Sequence, residues 1–289
     1  MLPSLDALRA TILQSFPDLA DAQFTLLTAG WDSVAVDVDD QLIFKFPRDA
    51  DAEASLRREA RLLGAVRPIV HLSVPDLTIV PGPPLFSRHV KLPGDHLVTA
   101  EYEHLPEDAR QRLAETMARF YADVHTLDAN VMASLGAKAV DSWSTPETIL
   151  SRALAALSSD RHDYVRGTIA AWEALPPDPH GSTYGFFDGH GWNMAFDHNA
   201  NALSGIYDFA DSGFGPLHQE FIYTNFISPD LTERIVTAYE AITKHALDRE
   251  RIALLTRVHS LWELSNLADD PAHAPDILGN VLRWADARG

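Results

Sequence analysis

The chain has 289 residues, enough to bury a large core and to form one large or two modest domains. It contains no cysteine, which excludes disulfides, a thiol nucleophile and cysteine-ligated metal. Forty-one acidic against 23 basic residues give a net charge of −18. That balance argues against a nucleic-acid partner and is compatible with a cationic one. No apolar run is long enough to span a bilayer, and charged Asp6 and Arg9 interrupt the first helical pattern, so a cytoplasmic, monomeric protein is expected.

In chain order, apolar residues at helical spacing predict a helix over 3–15. Three strands are expected at 23–28, 33–38 and 41–47, joined by turns at Gly30-Trp31-Asp32 and Asp39-Asp40. A helix over 51–66 carries Leu56, Ala60 and Leu63 on one face. Two further strands, 77–80 and 85–92, flank the turn Pro81-Gly82-Pro83-Pro84. Beyond Pro93-Gly94 the character changes, and helices are expected at 106–127, 145–158, 162–174, 217–227, 231–246 and 249–268. The pattern predicts an α+β, two-lobed chain: a small antiparallel β-sheet lobe with one main helix (1–90), a hinge at about 88–94, and a larger, mostly helical lobe (91–289). A cleft between such lobes is a usual place for a ligand.

The residues that carry chemistry lie in two acidic segments. Asp188-Gly189-His190-Gly191-Trp192-Asn193 is followed fifteen residues later by Asp208-Phe209-Ala210-Asp211. An Asp, an Asn five residues on, a short hairpin and then Asp-Phe is the layout of a kinase catalytic centre. In that layout the first Asp receives the proton of the attacking hydroxyl, and Asn193 and Asp208 approach one magnesium ion from the two ends of the hairpin. Upstream, Lys45 interrupts an apolar strand, and Glu59 flanks the apolar face of its helix. A charge taken out of water needs a partner, and each suits the other. The turn 28–33 has one glycine, Gly30; its backbone N–H groups and the Ser33 hydroxyl are candidate phosphate contacts.

Together these residues make the chain similar to the aminoglycoside phosphotransferase family of the protein-kinase-like fold. Gly30-Trp31-Asp32-Ser33-Val34-Ala35, Phe44-Lys45-Phe46-Pro47, Lys91-Leu92-Pro93-Gly94 and Tyr121-Ala122-Asp123-Val124-His125 most resemble the branch that modifies the 2″-hydroxyl of gentamicin-type aminoglycosides, an antibiotic-resistance activity. The resemblance spans residues 22–285. It implies ATP or GTP with Mg²⁺ as cofactors, Asp188 as catalytic base, Asn193 and Asp208 as metal ligands, and Lys45 with Glu59 as phosphate clamp. It also implies a hinge at Ser87, His89 and Val90 that presents backbone groups to the purine. Asp211, Glu220, Glu263, Asp269 and Asp270 are the candidate carboxylates for a cationic acceptor. Alternatives are a kinase for another small alcohol (macrolide, choline, sugar or amino-alcohol) and a catalytically weak nucleotide-binding regulator.

Three departures bear on that choice. The positions before Asp188, where the family has a bracing histidine, are Phe186 and Phe187, so Phe186 must brace the loop by packing. The glycine of Asp-Phe-Gly is Ala210, which would be strained if the turn needs a positive φ there. Glu220 stands where an aspartate is common. His190 is expected to brace the loop and Asp197 to close a turn, while Trp262 and Trp284 are expected in the core.

Overall fold

The computed structural model describes residues 3–27, 33–270 and 274–286. The Gly30 part of the expected phosphate loop therefore lies outside the described residues. Five strands, β1 (Phe24–Leu27), β2 (Ser33–Val38), β3 (Leu42–Pro47), β4 (Thr78–Val80) and β5 (Phe86–Val90), form one sheet in the order β1-β2-β3-β5-β4. Every neighbouring pair is antiparallel. Asp39 and Asp40 both have φ 57° in the β2–β3 turn, a left-handed pair that matches the twist of a hairpin and that short polar side chains tolerate.

Strand alternation then decides what each face meets. Phe44 and Phe46 of β3 point into a cluster with Val34, Val36, Val38 and Phe86, closed by Leu8 and Ile12 of helix α1 (Leu5–Ser15). Lys45, between them, points to the opposite face. There it meets helix α2 (Ala50–Val66), whose N-cap Asp49 accepts the Ala52 N–H at 2.8 Å. The α2 residues Leu56, Leu62, Leu63 and Val66 belong to the main core of the protein.

The remaining chain is mostly helical: α3 (Thr99–His104), α4 (Glu107–Val124), α5 (Ala129–Leu135), α6 (Pro146–Ala156), α7 (His162–Glu173), α8 (Pro229–Thr243), α9 (Arg249–Leu267) and α10 (Ala274–Asp286). Four short strands are set among them: β6 (Ser182–Gly185) pairs with β9 (Gly213–Pro216), and β7 (Met194–Asp197) with β8 (Ala202–Ile206). The expected helix at 217–227 is instead two 3₁₀ turns, Leu217–Phe221 and Tyr223–Phe226. All five residues of the first turn are buried, polar and apolar alike, so the segment has no exposed face to show a helical period. Helices α3, α5 and α10 were not expected; the first two are only six and seven residues long. Among the described residues no helix is long and apolar enough to cross a membrane.

Candidate active site

The centre is assembled from one side chain per element. Lys45 leaves the middle of β3, held between Ala35 on β2 and Ser87 on β5. Its Nζ lies 3.2 Å from Asp208 Oδ1 and 3.7 Å from Glu59 Oε1. Burial pulls the ammonium pKa down, but Glu59 and Asp208 outweigh it and the net shift is upward. Glu59 on α2 is only 2% exposed. Burial pushes its carboxyl up, against the pull of Lys45 and of the Phe209 N–H that donates to Oε1 at 3.1 Å.

Asp188 follows β6, and Asn193 ends the short turn that leads into β7. The Asn193 amide nitrogen donates to the Asp188 backbone oxygen at 3.0 Å and to Oδ2 at 2.5 Å. His190 Nε2 lies 3.0 Å from the other oxygen, Oδ1. Each oxygen of Asp188 thus faces one nitrogen of its own loop, and His190 braces that loop as its position suggested. Burial opposes protonation of His190, but Asp188 raises its pKa, and Glu263 and Asp208 add to that effect. The Tyr207 N–H donates to the Asn193 carbonyl at 3.1 Å, tying the start of β7 to the end of β8 and bringing Asp208 to the Asn193 end of the hairpin. Asp197 closes that hairpin by accepting the Asn199 and Ala200 N–H groups.

The donor set fits a hard divalent cation. Asn193 spends its amide nitrogen on Asp188, which leaves its amide oxygen; Asp208 is about half exposed, with Oδ1 on Lys45. Two oxygen ligands completed by phosphate and water suit magnesium. Among the described residues no cluster of three His, Asp or Glu could hold an ion by itself.

Two of the three departures from the family pattern resolve differently than expected, and that of Phe186 as expected. Ala210 is not the strained position; the positive φ falls on Asp208 (68°) and on Phe187 (55°), so no glycine is needed at 210. Phe186 is fully buried, with ring centroids 4.7 Å from Phe209 and 5.8 Å from Phe120, and braces the loop by packing. It does not act alone. Glu220 Oε2 accepts the Phe186 N–H and Oε1 the Phe187 N–H, both at 2.9 Å, and His125 Nε2 is 3.3 Å from Oε2.

That arrangement corrects one expectation. Glu220 has no solvent exposure and both oxygens are occupied by backbone, so it is not an acceptor-site carboxylate. Asp269 is exposed on the turn after α9, six residues beyond Glu263, with no side-chain partner among the described residues. Asp270 sits beside it, half-buried. Asp211 is exposed three residues after Asp208. Glu263 is half-buried on α9, 3.6 Å from His259 and in electrostatic reach of His190. Trp262 packs against the cluster formed by α6, α7, α9 and α10, and Trp284 is half-buried.

At the expected hinge, Ser87 is fully buried and its Oγ makes no hydrogen bond. His89 is buried beside it, its Nδ1 2.9 Å from the Val90 carbonyl, and burial lowers its pKa to about 4. Val90 is 63% exposed. Ser33 is half-buried at the start of β2, opposite Pro47. Glu220, His125, Tyr121 and Arg58 escaped the sequence reading as contributors to the loop and turn; an acidic residue directly before the aromatic and apolar Phe221-Ile222-Tyr223 was the one available signal.

A lysine under a five-stranded antiparallel sheet, facing an Asp–Asn loop and a left-handed aspartate from a helical lobe, defines a two-lobed, kinase-like phosphoryl-transfer fold. The phosphotransferase enzyme family (APH) matches residues 23–255. The chain belongs to this family and is a phosphotransferase of the kind that acts on hydroxyl groups. No curated protein shows significant sequence similarity to it. Among solved structures, the GDP complex of wild-type aminoglycoside 2'-phosphotransferase-IIIa aligns with TM-score 0.84 at 18% identity, covering 99% of this chain and 100% of that one. The gentamicin–APH(2")-IIa complex aligns with TM-score 0.64 at 16% identity, covering 98% and 97%. Macrolide 2'-phosphotransferase MphH from Brachybacterium faecium aligns with TM-score 0.65 at 17% identity, covering 93% and 97%. These likenesses establish the fold.

Proposed function

We propose that the chain moves the γ-phosphoryl group of a magnesium-bound nucleoside triphosphate to a hydroxyl of a cationic small molecule, an aminoglycoside being the first class to test. The observation that carries the reading is the convergence of Lys45, Glu59 and Asp208 within 3.7 Å, with Asn193 hydrogen-bonded to Asp188. Residues 1–90 serve as the nucleotide lobe, and 91–289 supply the catalytic loop and the acceptor wall. The proposed setting is the cytoplasm, where nucleoside triphosphate is available.

Lys45 binds the α- and β-phosphates and is kept charged by Glu59. Asn193 and Asp208 hold Mg²⁺, which neutralises charge on the phosphates when bound. Asp188, its carboxylate set by His190 and Asn193, orients the acceptor hydroxyl and takes its proton as the phosphoryl group leaves in line. The chemistry is positioning plus electrostatics, with little covalent work for the protein. Asp211, Glu263, Asp269 and Asp270 are the candidate carboxylates for an ammonium group once Glu220 is set aside, and the net charge of −18 draws a cation toward them. Sealing Glu220 takes one carboxylate from that wall, which supports a second reading in which the acceptor carries fewer ammonium groups, as a macrolide or amino-alcohol does.

The test is turnover with ATP and with GTP over a panel of aminoglycosides, macrolides and amino-alcohols. Asp188→Asn is expected to lower turnover by roughly 100-fold or more while nucleotide still binds. Unchanged turnover in that variant would remove Asp188 from the mechanism.

A further inference from the structure

Two adjacent residues of α2 grip the segment that follows Asp208. Glu59 Oε1 accepts the Phe209 N–H at 3.1 Å, and Arg58 Nη2 donates to the Ala210 carbonyl at 3.0 Å. The gripped turn has Asp208 at φ 68°, a left-handed conformation that most L side chains avoid and aspartate tolerates at some cost, here with its neighbours holding it. Arg58 is itself fixed. The same nitrogen is 3.0 Å from Ser55 Oγ, one turn earlier on α2. Its aliphatic stem lies against Gly136, where a Cβ would come within 3.6 Å of Arg58 Cγ. Gly136 has φ 103° and caps α5, and Arg61 Nε donates to the neighbouring Leu135 carbonyl at 2.9 Å. The guanidinium therefore reaches Ala210 along a path set by a helix of the large lobe.

We propose that Arg58 is a positioning residue of the phosphoryl-transfer centre, which holds the Asp208 turn in its metal-binding shape through the Ala210 carbonyl. The proposal rests on the reading of Asp208 as a ligand of the metal–nucleotide complex. Its consequence is coupling: any movement of α2 that releases Lys45 from Glu59 also releases the Phe209 N–H and the Ala210 carbonyl, so clamp and metal turn assemble together.

The experiment measures binding of a fluorescent nucleotide in EDTA and in excess magnesium, beside thermal melting. In the parent protein magnesium tightens binding. Arg58→Met and Arg58→Gln, which keep the stem and remove the charged donor, are expected to lose roughly tenfold of that tightening, the worth of one charge-assisted hydrogen bond, with metal-free affinity unchanged. Arg58→Lys is expected to recover part of it. Asp208→Asn, run in parallel, should lose it. Full tightening in both neutral Arg58 variants with loss in Asp208→Asn overturns the role of Arg58 alone. Full tightening in all of them overturns the metal reading and the proposal with it. Equal loss with and without magnesium marks Arg58 as merely structural and also overturns it.

Discussion

Replacing Glu220 by glutamine exchanges one oxygen of a carboxylate that solvent does not reach. The two oxygens accept the Phe186 and Phe187 N–H groups at 2.9 Å each. A glutamine offers one oxygen and one amide nitrogen, so one backbone donor must face another donor. Leaving it unsatisfied costs about 1–3 kcal/mol, and loss of charge from the remaining bond adds about 1 kcal/mol. A total of about 2–4 kcal/mol is within the 5–15 kcal/mol stability typical of a domain, so the variant folds. The local effect is larger than the global one. Phe187 sits at φ 55° immediately before Asp188, a backbone state worth about 1–3 kcal/mol of strain, and the lost bond is one that holds it there. Turnover is therefore expected to fall roughly 10- to 100-fold through misplacement of Asp188, with little change in KM for the acceptor. Urea unfolding and steady-state kinetics measure both. Unfolding free energy within about 0.5 kcal/mol of the parent and an unchanged kcat would refute the bracing role. A rise in KM alone would return Glu220 to the acceptor wall.

Gly189→Ala tests the other side of the loop: a Cβ there would come within 2.0 Å of Tyr121 Oη. Turnover should drop at least roughly tenfold, with a loss of about 1–3 kcal/mol in stability. Because the buried Tyr121 hydroxyl makes no hydrogen bond, Tyr121→Phe in the same chain should recover part of both; equal losses with and without it would show that the contact is not the cause. His89 sets a pH dependence. Burial lowers its pKa to about 4, so below about pH 6.5 the unfolded chain takes up a proton that the folded ring refuses until about pH 4. Stability accordingly falls as pH drops through that window, by up to about 3 kcal/mol. In His89→Phe the difference in unfolding free energy between pH 7 and pH 4.5 should shrink by about 2–3 kcal/mol, and an unchanged difference would refute the assignment.

The candidate catalytic centre was legible in the linear chain because its parts are local or nearly so. Asp188 and Asn193 share one turn, Asp208 is one hairpin away, and the lysine strand and glutamate helix are adjacent elements. Their residue types are also improbable where they stand, a lysine in an apolar strand above all. The acceptor wall was not legible, because a carboxylate on a helix says nothing of whether it faces solvent, substrate or a buried N–H. Glu220 and Glu263 are equally acidic in the sequence, yet one is sealed against the Phe186–Phe187 backbone and the other is half-buried near His190. Ala210 illustrates a second limit: the sequence marks where glycine is missing, but which residue of a turn takes the positive φ depends on what grips the neighbouring peptides.

Those grips explain why two non-glycine residues with positive φ flank the chemistry. Phe187 precedes Asp188, the proposed base, and Asp208 is the proposed metal ligand; each is followed or accompanied by backbone bonded to a buried carboxylate, Glu220 for one and Glu59 for the other. Phe186 and Phe209, the buried rings next to them, pack at a tilt with centroids 4.7 Å apart, so the two turns share one hydrophobic floor with Phe120. A carboxylate below each turn and a common aromatic contact fix the separation of Asp188 from Asp208 without any direct bond between them. In that arrangement the histidine absent at position 186 is replaced by a phenylalanine that packs and a glutamate that holds the backbone, and Asp188 and Asp208, the carboxylates proposed to handle proton and metal, keep the positions that the resemblance assigns them.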